Sequence, residues 1–308
     1  MTQELVVTGV DGFVGRHVAR LAAESGITVT GISRSDRPGP SLAPHLGSYI
    51  SADLRRAWPA GAPVDAPIVH LAGLAAVGPS FSVPQKYIDA NSAMVTHMCE
   101  ALVRADSGAR VVAISTGAVY ANVDGHSTHD ESAPVAFTSP YVVSKILVEN
   151  QLAYYRGRGL AAVTARPFNH IGPGQSTGFL VPDLITQLSA SDFDDVLSVG
   201  NLASRRDYTD VRDVARAYLA LATAEHLRSD LYNVSSGVSR SGAEILALIC
   251  ESLSRPVPRL RVDPERLRPN DPASIAGDAS RIRSEVDWRP EITLEQTIRD
   301  VVDGSVGA

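Results

Sequence analysis

The sequence predicts an α/β protein, a doubly wound parallel sheet followed by a smaller mixed α/β lobe. Three features point there. Short apolar runs alternate with longer runs of helical spacing through the first half of the chain. Those short runs are mostly apolar, as strands buried on both faces are. A glycine-rich stretch follows the first run and opens the first amphipathic one. Residues 5–8, 28–32, 68–71, 111–115 and 162–165 read as strands, and 15–25, 87–104 and 141–156 as helices. Pro/Gly-rich stretches at 37–44 and 58–67 read as loops. Beyond residue 166 the pattern loosens, with short apolar pieces at 197–199, 231–234 and 259–262 between helical runs at 179–190, 211–224 and 241–254. The expected division is a first domain over 1–166 and a smaller second lobe over 167–308. The apolar helix 211–224 is able to pack back on the sheet.

Composition narrows the function. The 308 residues carry 34 acidic and 28 basic side chains, a net charge of −6, which disfavours gripping nucleic acid or an anionic membrane. Cys99 and Cys250 are too few for a disulfide framework or a zinc site. No run approaches the ~20 apolar residues of a membrane span. Glu4 sits where a secretory leader would carry positive charge. A soluble cytoplasmic protein is expected. Only Lys86 and Lys145 among the basic residues are lysines, so a lysine in a chemically meaningful place carries weight.

The first motif is Thr8-Gly9-Val10-Asp11-Gly12-Phe13-Val14-Gly15. Its three glycines suit a tight turn, close approach of backbone to a pyrophosphate, and close helix–strand packing, the fingerprint of a Rossmann-type dinucleotide site. The helix N-terminus that follows offers N–H groups and a positive dipole end to phosphate. Gly9, Gly12, Phe13, Val14 and Gly15 are the candidate contacts. At the end of the second strand, where a carboxylate would bind the adenosine ribose of NAD, stand Ser33 and Arg34. A guanidinium suits a 2′-phosphate, so NADPH is the expected cofactor.

The second motif is Tyr141-Val142-Val143-Ser144-Lys145. Residues four apart share a helix face, which sets phenol and ammonium side by side. A free tyrosine has a pKa of about 10, and an adjacent ammonium is expected to bring it toward neutrality. The third is the hydroxyl pair Ser115-Thr116, at the C-terminal end of a strand, where ligands of open α/β sheets sit. His126 and His129 lie in an acidic polar stretch without a convincing third ligand, so no metal site is expected.

Together these motifs resemble the extended short-chain dehydrogenase/reductase family, and the match covers nearly the whole chain. The resemblance implies a catalytic Thr116, Tyr141 and Lys145, with Ser115 the alternate hydroxyl. It adds Leu71, Ala72 and Gly73 as the segment passing the nicotinamide, Asn91 as the asparagine of the following helix, and Asp53 with Leu54 at the adenine. In the second half, Arg166-Pro167-Phe168-Asn169-His170-Ile171-Gly172-Pro173-Gly174-Gln175, Arg206-Asp207-Tyr208-Thr209-Asp210-Val211 and Arg268-Pro269-Asn270-Asp271 resemble the GDP-4-keto-6-deoxy-D-mannose reductase branch. That branch implies a nucleotide-diphosphate sugar as substrate, held at Asn169, Arg206 and Arg268, with Val181 in a base-contacting stretch. It also implies a homodimer through helices 87–104 and 141–156.

Departures matter too. Dehydratases of the superfamily carry acids directly after the threonine, where this chain has Gly117 and Ala118, and Ala121, Met94 and Val95 also differ from the family's habit. The expected activity is NADPH-dependent reduction of the 4-keto group of a nucleotide-linked 4-keto-6-deoxyhexose. The rivals are an NAD-dependent 4-epimerase, disfavoured by Ser33-Arg34, and a non-catalytic cofactor-binding protein, disfavoured by the intact Thr116, Tyr141 and Lys145.

Overall fold

The computed structural model describes residues 3–122, 128–190, 196–267 and 272–306. The first half comprises β1 (Glu4–Thr8), α1 (Phe13–Glu24), β2 (Thr28–Ser33), β3 (Ser48–Ser51), β4 (Ile68–His70), α2 (Val77–Ser80), α3 (Pro84–Arg104), β5 (Val111–Ile114), β6 (Thr128–His129), α4 (Pro140–Gly157), β7 (Ala162–Pro167) and β8 (Asn169–Ile171). The second comprises α5 (Leu180–Ala190), β9 (Val196–Val199), β10 (Arg205–Asp210), α6 (Val211–Thr223), β11 (Leu231–Val234), β12 (Ser239–Ser241), α7 (Gly242–Ser252), β13 (Arg259–Val262), β14 (Ser274–Gly277), α8 (Ser280–Val286) and α9 (Leu294–Val306).

Seven strands form a sheet in the order β11-β7-β5-β4-β1-β2-β3, and every pairing is parallel. Strands of this kind are buried on both faces, which is why β4 and β7 are buried at every residue. On one face α1 and α6 bury Val18, Ala22, Val214 and Tyr218. On the other, α3 and α4 bury Met94, Met98, Val148 and Leu152. From β1 the chain winds outward to β3 and then crosses back to β4, so the order reverses between β1 and β4. The loops leaving those two strands part, and the crevice between them is where open α/β sheets take ligands.

The boundary at residues 166/167 divides the sequence but not the sheet. Strand β11, assigned to the lobe by its place in the chain, is the seventh strand of the main sheet, paired with β7. Helix α6 lies beside α1, with Val214, Tyr218 and Leu221 in the core shared with the main sheet. The lobe proper is built on β12-β10-β14-β6, with β8 beside β10, and on a core of α5, α7 and α9. Among the described residues no helix is long and apolar enough to cross a membrane.

Candidate active site

The crevice begins at the glycine turn. Gly9 has φ +67°, a left-handed conformation open to glycine, and a Cβ there would lie 2.8 Å from the Ala72 nitrogen. A Cβ on Gly15 would lie 2.4 Å from the Gly9 carbonyl oxygen. Only a chain without side chains at these points lets the turn, α1 and the loop after β4 meet this closely. No side chain caps α1 at Gly12 and its first turn holds no acid, so its N-terminus keeps its positive character for an anion. Phe13 stacks on His170 at 6.1 Å, and Val14 packs on the core.

The opposite wall is residues 71–74. Asn91 holds it: Oδ1 accepts from the Leu74 N–H (2.8 Å), and Nδ2 donates to the Leu74 carbonyl (3.2 Å) and to Ser144 Oγ (2.9 Å). Asn91 therefore positions this wall against α4. A Cβ on Gly73 would lie 3.6 Å from Lys145 Nζ, so the wall runs straight to the second motif. At the far end, Ser33 closes β2, with Arg34 exposed beside it. Asp53 is gripped by Arg55 at 2.6 and 2.8 Å, whose hydrogen bonds hold its carboxyl down to about 2. Leu54 is buried.

The reacting groups gather where β5 ends. Thr116 caps the short turn Gly117–Val119, accepting from the Ala118 N–H at 3.2 Å. Tyr141 and Lys145 lie one turn apart near the start of α4, capped by Ser139. Both are buried, and Lys145 Nζ lies 5.9 Å from the Tyr141 ring centre while donating to the Ile114 carbonyl at 2.8 Å. Burial pushes the phenol up to about 12, although a side-chain hydrogen bond with Thr116 pulls it back. The direction differs from the expected lowering: removal from water is the largest cause, and the amine donates to the Ile114 carbonyl. At neutral pH Tyr141 keeps its proton and can donate it. Burial also lowers Lys145 to about 8, with Glu149 acting the other way.

Beneath lies Glu149, which the motifs did not single out. Arg166 makes two bonds to Glu149, at 2.9 and 2.6 Å, and Ser115 donates its hydroxyl to the same carboxylate. Ser115 is thereby committed inward, and Thr116 is the hydroxyl beside the phenol. Arg166 also lies 4.9 Å over the Tyr120 ring, and Tyr120 donates to Asn233 Oδ1 at 2.6 Å. The sequence does hold a signal for Glu149, which continues the spacing of Tyr141 and Lys145 by one more turn of α4.

On the lobe side, Asn169 is exposed at the start of β8, paired in register with Tyr208. Arg206, half-buried, donates to the carbonyls of Arg205 (2.6 Å) and Pro272 (2.8 Å). Arg205 pairs with Glu244 at 2.8 Å and supports α7. The Val181 side chain is buried in the lobe core, where it supports α5. Arg268 and His126 lie outside the described residues. His129 stacks on Tyr120, and among the described residues no His/Cys/Asp/Glu group is assembled that could hold a metal. His170 is packed, with Nδ1 3.1 Å from the Phe168 carbonyl.

Buried His70 gives a pH test. Its Nδ1 is 2.9 Å from Thr8 Oγ1, and burial, then Lys145, depress it to about 3. The unfolded chain takes up this proton at about pH 6.5, so the unfolded state binds more protons between there and pH 3. Stability is therefore lost as pH falls through that window. Urea unfolding followed against pH should show a decline that flattens in His70→Asn; an identical decline in the variant would refute this source.

The profile of the NAD dependent epimerase/dehydratase family matches residues 5–235. A GDP-6-deoxy-D-mannose reductase from Pseudomonas aeruginosa is 31% identical, over 98% of this chain and 97% of that protein. A UDP-glucose 4-epimerase from Corynebacterium glutamicum is 27% identical, over 96% and 93%. The solved structure of RMD from Pseudomonas aeruginosa complexed with NADPH superposes with a TM-score of 0.81 at 28% identity, covering 98% of each chain. The glycine turn, the threonine and the Tyr-Lys pair meet along one crevice, and with these matches the chain belongs to the NAD dependent epimerase/dehydratase family, of the extended short-chain dehydrogenase/reductase type.

Proposed function

We propose that the protein is an NADPH-dependent 4-ketoreductase acting on a nucleotide-linked 4-keto-6-deoxyhexose. The observation that carries this reading is the buried Tyr141–Lys145 pair beside Thr116, at the end of a crevice whose glycines exclude side chains. The crevice fits a dinucleotide, since a Cβ at Gly9 or Gly15 would fill the cradle and α1 presents an uncapped N-terminus. Ser33 and Arg34 favour the 2′-phosphate. Likeness to the Pseudomonas reductase supports the substrate class. A dehydratase is disfavoured because a Cβ at Gly117 would lie 2.8 Å from the Phe168 ring, leaving no room there for an acid.

When bound, the reduced nicotinamide supplies hydride to the sugar's carbonyl carbon. Tyr141 gives its proton to the carbonyl oxygen, and Thr116 hydrogen-bonds that oxygen as negative charge grows on it. Lys145 offsets the phenolate left behind, and Glu149 favours the charged amine against its burial. Asn169, Arg206 and Arg268 hold the nucleotide diphosphate, fixing the sugar's position.

The test is a panel of GDP- and dTDP-4-keto-6-deoxy sugars offered with NADPH or NADH, followed by loss of reduced-cofactor absorbance. One of these sugars should be reduced with NADPH, and Tyr141→Phe should lower turnover by about 10²–10⁴-fold while sparing NADPH binding. Unchanged turnover in the variant would remove the proton-donor role. Stoichiometric NAD released on denaturing the purified protein would favour the 4-epimerase, the activity of the Corynebacterium relative.

The protein acts in this reading as a cytoplasmic homodimer, with α3 and α4 of each copy forming the contact. Tyr154 is exposed on α4, as an interface residue would be in the free chain. Sedimentation should give twice the chain mass, and Tyr154→Glu should shift it toward the monomer; a monomeric parent protein would refute the dimer.

A further inference from the structure

The crevice carries a negative charge that the motif comparison leaves unassigned. Asp11 lies inside the glycine turn, between Gly9 and Gly12. Tyr49 Oη, rising from β3, lies 2.8 Å from Asp11 Oδ2 and 3.0 Å from the Ser35 carbonyl, two acceptors for its single proton. Tyr49 pairs in register with Gly31 of β2, two residues before Ser33. Tyr49 thus links the carboxylate to Ser35, the neighbour of Arg34. Its other oxygen, Oδ1, is buried and has no hydrogen-bond partner. An acceptor left unbonded away from water costs stability, so this oxygen is held there by its surroundings and not by a bond of its own. It lies in a turn whose helix N-terminus favours anions.

We infer that Asp11 is a specificity-determining residue that opposes Arg34, so that the choice between a phosphorylated and an unphosphorylated adenosine ribose is the difference of two opposed charges. Arg34 is exposed and screened by solvent, whereas Asp11 is tethered and partly shielded from it. The carboxylate repels a 2′-phosphate and leaves a plain ribose unopposed. Ser33 and Arg34 alone therefore overstate the preference for NADPH. The inference rests on the crevice being the dinucleotide site proposed above, and it concerns the strength of the preference rather than its direction.

The test is direct binding without sugar, titrating the purified protein with NADPH and with NADH and reading nucleotide fluorescence. Asp11→Asn keeps the shape and an acceptor for Tyr49 while removing the charge. It should raise the ratio of the NADH to the NADPH dissociation constant by about tenfold, a repulsion closer to the water-screened end of the charge–charge range than to a direct contact at a protein surface. Arg34→Ala should lower the same ratio. Should Asp11→Asn fail to fold, Asp11→Ser should give the same rise. An unchanged ratio in a folded Asp11 variant overturns the inference. A parent protein that prefers NADH overturns the cofactor assignment, while the change on replacing Asp11 still decides the residue's role. A parent protein that binds neither coenzyme overturns both.

Discussion

The buried ion pair of Glu149 with Arg166 is the constraint on which the reacting end of this protein depends. Arg166 is 5% exposed, and charges so placed are tolerated only when paired and hydrogen-bonded. Making the two Arg166–Glu149 bonds requires α4 to lie across the end of β7 at one depth, with Ser115 of the β5 end supplying a third bond to the carboxylate. Thr116 is the next residue after Ser115, and Tyr141 and Lys145 lie on the same face of α4 as Glu149. The pair thus ties the threonine, the phenol and the amine to a single support. Tyr120 extends the support to β11, since it lies under Arg166 and is bonded to Asn233.

The other end of the crevice is governed by close approach rather than charge. The reversal of strand order parts the loops after β1 and β4, and Gly9 then lets them meet again within contact distance at Leu71 and Ala72. Asn91 carries this wall to α4 through Ser144, whose hydroxyl donates back to the Tyr141 carbonyl at 2.7 Å. One continuous set of contacts therefore runs from the glycine turn to the proton donor. Binding at one end and chemistry at the other share a rigid frame, and effective positioning requires such a frame.

The parts legible in the sequence are those where one residue type answers one physical need. The glycines of the first turn, the spacing of Tyr141 and Lys145, and the apolar strands β1, β2, β4, β5 and β7 are of this kind. The helices at α1, α3, α4, α5, α6 and α7 also carry clear periodicity. Strand β10 carries no apolar signal, because its sequence, Arg205–Asp210, is mostly charged or polar and its Arg205, Asp207 and Asp210 side chains serve ion pairs and hydrogen bonds. Strand β3 alternates polar and apolar residues at the sheet's edge, where burial is weak. The place of β11 was hidden because strand order is a tertiary matter, decided by α6 crossing back over the sheet. The raised phenol has no signal in the sequence either: spacing shows that amine and phenol share a face, but burial has the largest effect on the titration.

The account stands on Tyr141 and Thr116 meeting a bound nicotinamide at the end of this crevice. A crystal structure of the protein with NADP⁺ tests that most directly. The account predicts the nicotinamide ring lying along residues 71–73, with its reactive carbon and the Tyr141 hydroxyl separated by a gap that a sugar carbonyl spans, each within about 3–3.5 Å of the substrate atom it serves. A ring seated away from Tyr141, or a dinucleotide bound outside the glycine turn, would contradict it.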